Sequence, residues 1–274
     1  MNRALVRVFV LLFALPLFFS CGRGQQSSLS FLQIHVIRWA EQRMGHIQLS
    51  TCMDSAYWIG ICWNLYQSSN DSVFRVEAEK YIKPLTLPED GSFNSDLAIR
   101  SYLAFGKGYD ATGVRSYRHE VWDLGGYLLA DTVCINGFTV EALLWATAHQ
   151  GCHCFRDAAE QWGKRWMDTD SLSLDILQGL GTLYAYTTDT VYRNALLRMN
   201  QTSVLTGVID SLRLASVYCR LDSLSPESGF RDQTVNMLRS YSLSKSASLP
   251  EVFYLTEVLL RLSLISSISS CTFR

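Results

Sequence analysis

Beyond residue 30, apolar residues recur at intervals of three and four, the spacing that gathers them on one face of an α-helix. Ile59, Cys62, Trp63 and Tyr66 make one such stripe, and Val140, Leu143 and Leu144 make another. Strict alternation of apolar and polar residues, the mark of a half-buried strand, is almost absent. The pattern predicts an all-α chain of about eleven or twelve helices, with a last strong one from Glu251 to Leu264. Pro84, Pro88, Pro226 and Pro250 fall at the breaks between helical stretches, where a missing backbone N–H is tolerated.

Four of these stretches can be laid over one another. Leu65-Tyr66 leads through Asn70-Asp71 to Phe74-Arg75, and Gly108-Tyr109 leads through Thr112-Gly113 to Tyr117-Arg118. Ala146-Thr147 leads through Gln150-Gly151 to Phe155-Arg156, and Leu183-Tyr184 through Thr188-Asp189 to Tyr192-Arg193. The four aromatics, at 74, 117, 155 and 192, are 43, 38 and 37 residues apart. Periods of that length mark arrays of helical hairpins. The chemistry of each copy agrees: a Gly, Asn or Asp stops one helix, polar residues cap the next, and the aromatic one turn in packs back on the helix before. Periodicity alone leaves open whether such hairpins stack as an open solenoid or close into a ring.

Composition narrows the function classes. The chain has 274 residues, 48% apolar and 18% charged, with 24 basic and 25 acidic side chains. That excludes a disordered tail, a collagen-like repeat and a strongly basic nucleic-acid binder. Arg3 and Arg7 precede a 12-residue apolar run, Val8 to Phe19, which is too short to span a bilayer. With Ser20-Cys21 after it, residues 1–20 read as a lipoprotein-type signal peptide. Cys21 is then the lipid anchor, residues 21–30 a flexible polar tether, and residues 31–274 a single helical domain. The expectation is a protein exported to a bacterial cell envelope and held to the membrane through that anchor only. Removal of the leader leaves 254 residues with 22 basic and 25 acidic groups, a charge of −3, which gives no electrostatic reason to expect nucleic acid.

The other seven cysteines have no regular spacing and do not describe a disulfide framework. His149, Cys152, His153 and Cys154 cluster, but zinc ligands usually come in pairs with two to four residues between them, and no second pair follows. The cluster reads as a loop between two helices. No metal and no cofactor are expected.

Several segments resemble glycoside hydrolase family 88, the unsaturated glucuronyl hydrolases. Tyr57 to Tyr66, followed by Ala78-Glu79-Lys80-Tyr81, is similar to the family's first hairpin. Ser95-Asp96-Leu97 and Ala104 to Gly113 are similar to its His-Asp-Leu-Gly and Ser-Phe-Gly-Asn-Gly-Tyr-Arg-Leu-Thr-Gly segments. Glu141 to Thr147 resembles its third hairpin and Tyr254 to Arg261 its last helix, so the likeness runs in order from about residue 50 to 265. The resemblance implies an (α/α)6 toroid built from helical hairpins, with the active site in a funnel formed by the inner helices. It implies hydrolysis of oligosaccharides that carry a terminal unsaturated uronic acid, released by polysaccharide lyases. In that chemistry a carboxylic acid protonates the C4=C5 vinyl ether, water adds at C5, and the hemiketal opens and expels the remaining sugar.

On this likeness Asp96 falls on the first of the family's two key aspartates. The sequence departs at the second, where Ile135 stands in Cys134-Ile135-Asn136 in place of the proton donor. Trp162 replaces the family's histidine, Met53 replaces a tryptophan, and the Arg-Gly-Gln-Ala-Trp segment has no counterpart near Ser171 to Asp175. The chain is also shorter than a typical member, between Met167 and Leu174 and around residue 200; these departures leave a second reading, a catalytically inactive relative serving as a glycan- or protein-binding lipoprotein. Residue chemistry alone gives Asp96 a second role, as the cap of the helix beginning after Asn94-Ser95. Asp131, four residues before Ile135, reads as a cap or as a substitute acid. Trp58 is a candidate floor for a sugar ring, whereas Trp63 reads as core. Asn136 is either a hydrogen-bonding partner for a sugar hydroxyl or a helix N-cap.

Overall fold

A computed structural model describes residues 31–82, 95–130, 136–168, 173–200, 207–224, 229–239 and 241–271. The expected leader, Cys21 and tether lie outside these residues, as do Asp131 and Ile135. Among the described residues every regular element is a helix, and none is long and apolar enough to cross a membrane.

The helices are α1 (31–41), α2 (Cys52–Ser69), α3 (Ser72–Ile82) and α4 (Ser95–Arg100). A π-helical segment (Ser101–Gly106) joins α4 to α5 (Lys107–Thr112), so the three run on as one composite helix. Then come α6 (Arg115–Ala130), α7 (Gly137–Gln150), α8 (His153–Met167), α9 (Leu174–Thr187), α10 (Thr190–Asn200), α11 (Val208–Leu224), α12 (Phe230–Arg239) and α13 (Leu249–Cys271).

Six of these form an inner layer: α2, the composite α4–α5, α7, α9, α11 and α13. Each packs on the next, and α13 packs on α2. That last contact closes the ring, which the hydrophobic period had left open. The outer helices α1, α3, α6, α8, α10 and α12 alternate with the inner ones along the chain, giving the expected (α/α)6 toroid. Because each hairpin reverses direction, all six inner helices run the same way. Their N-termini gather at one mouth of the ring and their C-termini at the other. Buried side chains of both layers form one continuous hydrophobic cluster.

The repeated turn is what holds the hairpins in step. Asn70, Gly113, Gly151 and Thr188 each end an inner helix in the left-handed region, at φ 57°, 70°, 75° and 57°. Each donates its N–H to the carbonyl four residues back, satisfying one of the carbonyls a helix end leaves over. Phe74, Phe155 and Tyr192 are buried in the first turn of the following outer helix, as the overlay predicts, and Tyr117 is half-buried. Their partners differ from copy to copy. Tyr117 packs back on Gly108 of the preceding helix, whereas Phe155 and Tyr192 reach sideways into notches at Gly125 of α6 and Gly163 of α8. The repeat thus also joins α6 to α8 and α8 to α10.

The 149–154 cluster spans the turn between α7 and α8, with His149 in the last turn of α7 and His153 and Cys154 in the first turn of α8. Cys152 and Cys154 are joined there by a disulfide, a pairing that irregular spacing had concealed. Among the described residues no group of three or more His, Cys, Asp or Glu side chains is placed to hold a metal ion.

Candidate active site

The mouth at the N-termini of the inner helices carries the residues singled out by the sequence, but it does not bring all of them together. Asp96 is in the first turn of α4, with its backbone inside the helix rather than at the capping position; its side chain lies outside the described residues. Asn136 is the N-cap of α7: its Oδ1 accepts from the Thr139 N–H at 2.9 Å, and the Thr139 hydroxyl answers with a capping box. Of the two roles open to it, capping is the one seen. Met53 occupies the first turn of α2.

Trp58 is placed elsewhere. Its ring is wholly buried and faces the outer layer, 6.4 Å from the ring of Trp39 on α1, with Nε1 donating to Glu77 Oε1 of α3 at 3.4 Å. It packs the wall of the toroid and offers no surface to a ligand at the mouth. Trp63 is core, as expected, and donates to the Ala104 carbonyl at 3.0 Å. Trp162 lies half-buried on the outer helix α8, beside Trp166 and Arg165.

The neighbour of Trp58 faces inward instead. Tyr57 packs its ring 5.6 Å from Phe253 of α13, and Phe138 of α7 stacks on Tyr254 of α13 at 6.4 Å. Among these aromatics sits Arg213 of α11, its guanidinium 6.0 Å from the Phe138 ring and 5.9 Å from that of Tyr254. Arg213 donates Nε to Gln178 Oε1 at 2.7 Å and pairs with the carboxylate of Asp175, both on α9. Burial works against its charge, yet the paired carboxylate of Asp175 raises its pKa and keeps it cationic. Burial pushes the Tyr254 phenol well up, so it stays a neutral hydroxyl. The Asp175 backbone is pressed against α7: a Cβ on Gly137 would stand 2.8 Å from the Asp175 carbonyl oxygen. Only glycine allows that approach, and it brings the half-exposed Asp175 carboxylate beside the head of α7, two residues past Ile135.

No pattern in the sequence pointed to Arg213. One arginine in an amphipathic stretch looks like any solvated cation, and its partner Asp175 is 38 residues away.

Below the mouth the ring axis is filled by polar side chains. Gln178 donates to Glu141 Oε2 at 2.7 Å, Glu141 pairs with Arg220, and Arg220 donates to Thr182 Oγ1 at 2.7 Å. A second network joins Asn64, Lys107, Thr256, Glu257 and Arg261. Lys107 pairs with Glu257 and donates to Asn64 Oδ1 at 3.1 Å, and Arg261 Nε donates to Glu257 Oε1 at 2.8 Å. Burial opposes the charge on Glu257, but Arg261 and Lys107 outweigh it and hold the carboxyl far below the usual range.

No protein-family model and no curated protein matches the chain. Solved structures do. A crystal structure of an unsaturated glucuronyl hydrolase specific for heparin superimposes with a TM-score of 0.68 at 13% identity, over 89% of this chain and 98% of that one. An unsaturated glucuronyl hydrolase from Streptococcus agalactiae gives a TM-score of 0.65 at 10% identity, over 87% and 91%. The chain shares their fold. The match runs over nearly the full length of both enzymes, so all six hairpins of the toroid are retained here. At such low identity it is the fold, and the divergence of this chain within it, that the likeness establishes.

Proposed function

We propose that this chain hydrolyses oligosaccharides ending in an unsaturated uronic acid, at the mouth formed by the N-termini of its inner helices. The supporting observation is Arg213. A guanidinium held by Asp175 and Gln178, among the rings of Phe138 and Tyr254, presents a fixed cation to a planar carboxylate beside apolar faces suited to a sugar ring. The fold shared with two unsaturated glucuronyl hydrolases, and the place of Asp96 at the head of an inner helix, fit the same reading.

In this reading Arg213 orients the uronate, and Asp96 delivers a proton to C4 of the vinyl ether. Water adds at C5 and returns a proton to the carboxylate of Asp96, after which the hemiketal opens and the rest of the oligosaccharide leaves. With Ile135 in place of the second aspartate, one carboxyl performs both proton transfers. General acid–base catalysis supplies about 10² to 10⁴ in rate, so turnover slower than that of a two-aspartate enzyme is expected. We further infer, from the leader pattern alone, that the enzyme is exported and anchored through Cys21, facing the products of extracellular lyases.

The test is the ultraviolet absorbance of the alkene, followed with a panel of lyase products. The unmodified chain removes it, and Asp96→Asn abolishes the loss. Arg213→Gln raises KM by about ten- to a hundredfold, the worth of a charge-assisted hydrogen bond. No loss of absorbance by the unmodified protein on any lyase product overturns the reading.

A further inference from the structure

The disulfide between Cys152 and Cys154 stands in the turn from α7 to α8, at the mouth where the inner helices end. It spans one residue, His153, and joins the N-cap of α8 to the second residue of that helix. A cross-link over so few residues removes little freedom from the unfolded chain, because the gain rises with the length of loop that is closed. The turn is also held without it. Gly151 donates to the Thr147 carbonyl at 2.8 Å, Gln150 Nε2 donates to the Arg118 carbonyl at 3.1 Å, and the buried ring of Phe155 lies 4.9 Å from that of Trp122. Residues 70–74 and 188–192 contain no cysteine and make the same turn. The bond is accessible as well: His153 and Cys154 are exposed and Cys152 is half-buried.

The overlay of the hairpins shows what Cys152 replaces. Three residues before the first-turn aromatic, two of the other copies carry an aspartate, Asp71 and Asp189, and one residue before it they carry Val73 and Val191. Asp71 Oδ1 accepts from the Val73 N–H at 3.0 Å, and Asp189 Oδ1 accepts from the Val191 N–H at 2.9 Å. A negative charge there caps the outer helix on N–H groups that have no partner within it. In the third hairpin Cys152 takes the place of the aspartate and Cys154 that of the valine, and Cys152 makes no side-chain cap hydrogen bond while its sulfur is bonded to Cys154. Reduction would free that sulfur as an anion at the aspartate's position, and no acidic residue lies in the first turn of α8 to oppose it. A thiolate favoured in this way leaves readily and makes its disulfide easier to reduce.

We infer that Cys152 and Cys154 form a thiol–disulfide exchange site that accepts two electrons from a dithiol on another molecule, with Cys154 the sulfur attacked and Cys152 the sulfur that leaves. One thiolate of the dithiol bonds to the exposed Sγ of Cys154, the bond between Cys152 and Cys154 breaks, and its electron pair stays on Cys152. The second thiolate of the dithiol then attacks the sulfur of the first, and Cys154 departs. The dithiol becomes a disulfide. One of its protons passes to Cys154 and the other to solvent, with Cys152 left as the capping thiolate. This activity uses none of the residues assigned to hydrolysis.

The probes are glutathione and a reduced two-cysteine peptide, each applied to the full chain. In glutathione buffers, alkylation of Cys152 and Cys154 is read by mass on the fragment that carries both. The equilibrium is expected to lie about 10³- to 10⁴-fold further toward reduction than that of a buried disulfide in a secreted control protein. The reduced chain keeps the melting midpoint of the oxidised one. Without oxygen, the oxidised chain converts up to one equivalent of the peptide to its disulfide, and the double variant Cys152→Ser, Cys154→Ser converts none. The inference is overturned if the pair resists glutathione as the control does, if reduction lowers the melting midpoint by several degrees, if the unmodified chain leaves the peptide reduced, or if the double variant oxidises it equally well. Should the double variant not fold, the glutathione equilibrium and the melt of the reduced chain decide.

Discussion

Glu257 sits between Lys107 and Arg261 with almost no contact with water, and those two cations depend on its charge. Removing one member of a buried ion cluster strands the others, at about 3–5 kcal/mol. Glu257→Gln should therefore lower stability by that order, read as the urea midpoint at neutral pH. The same carboxylate sets an acid limit. Its folded pKa is depressed, so below an ordinary glutamate value of about 4.3 the unfolded chain takes up a proton that the folded chain refuses. Stability from this group is complete above roughly pH 5 and is lost as pH falls, and the Glu257→Gln variant should show a shallower acid limb. None of this was legible in the sequence. Lys107 lies 150 residues from Glu257 and 43 from Asn64, and no local pattern couples residues so far apart. The reading of Trp58 as a floor for a sugar ring misled for a related reason. An inner helix is buried on every side, so α2 has no polar stripe to show which of two adjacent aromatics faces the axis.

The hairpin was the legible unit. Its turn residues and the aromatics at 74, 117, 155 and 192 fell where the overlay put them, because a helix stop and a buried first-turn ring are local requirements. One turn is imperfect. Thr188 takes the left-handed conformation that Gly113 and Gly151 adopt freely and that Asn70 tolerates. For a β-branched residue that conformation costs about 1–2 kcal/mol, of which the greater backbone freedom of glycine returns roughly half. Thr188→Gly should then stabilise the protein by about 0.5–1 kcal/mol, seen as a higher urea midpoint with an unchanged slope. The π segment at Ser101–Gly106 had no such signal. Its sequence, Ser-Tyr-Leu-Ala-Phe-Gly, reads as ordinary buried helix, and the extra residue per turn is a response to packing around Tyr102 and Lys107 rather than to local preference.

At the scale of the molecule, the one decision the sequence left open was made by the seam between α13 and α2. Across it Asn64 donates to Thr256 Oγ1 at 3.0 Å, and Gly60 leaves room for the ring of Phe253, which a Cβ there would crowd at 3.0 Å. These partners are about 190 residues apart, and only the completed set of six hairpins brings them together. The seam differs from the other five inner contacts in one respect: no outer helix carries the chain across it, so side chains hold it shut. A ring joined in this way has no privileged starting point. Linking residue 271 to residue 31 through a flexible segment and opening the chain at the exposed turn after Gly151 should give a rearranged protein that still melts in a single cooperative step. In that protein the seam would be tethered, and the gap in the chain would fall between α7 and α8. Two separate transitions would mean instead that the order in which the hairpins are made, and not only the circle they complete, holds this toroid together.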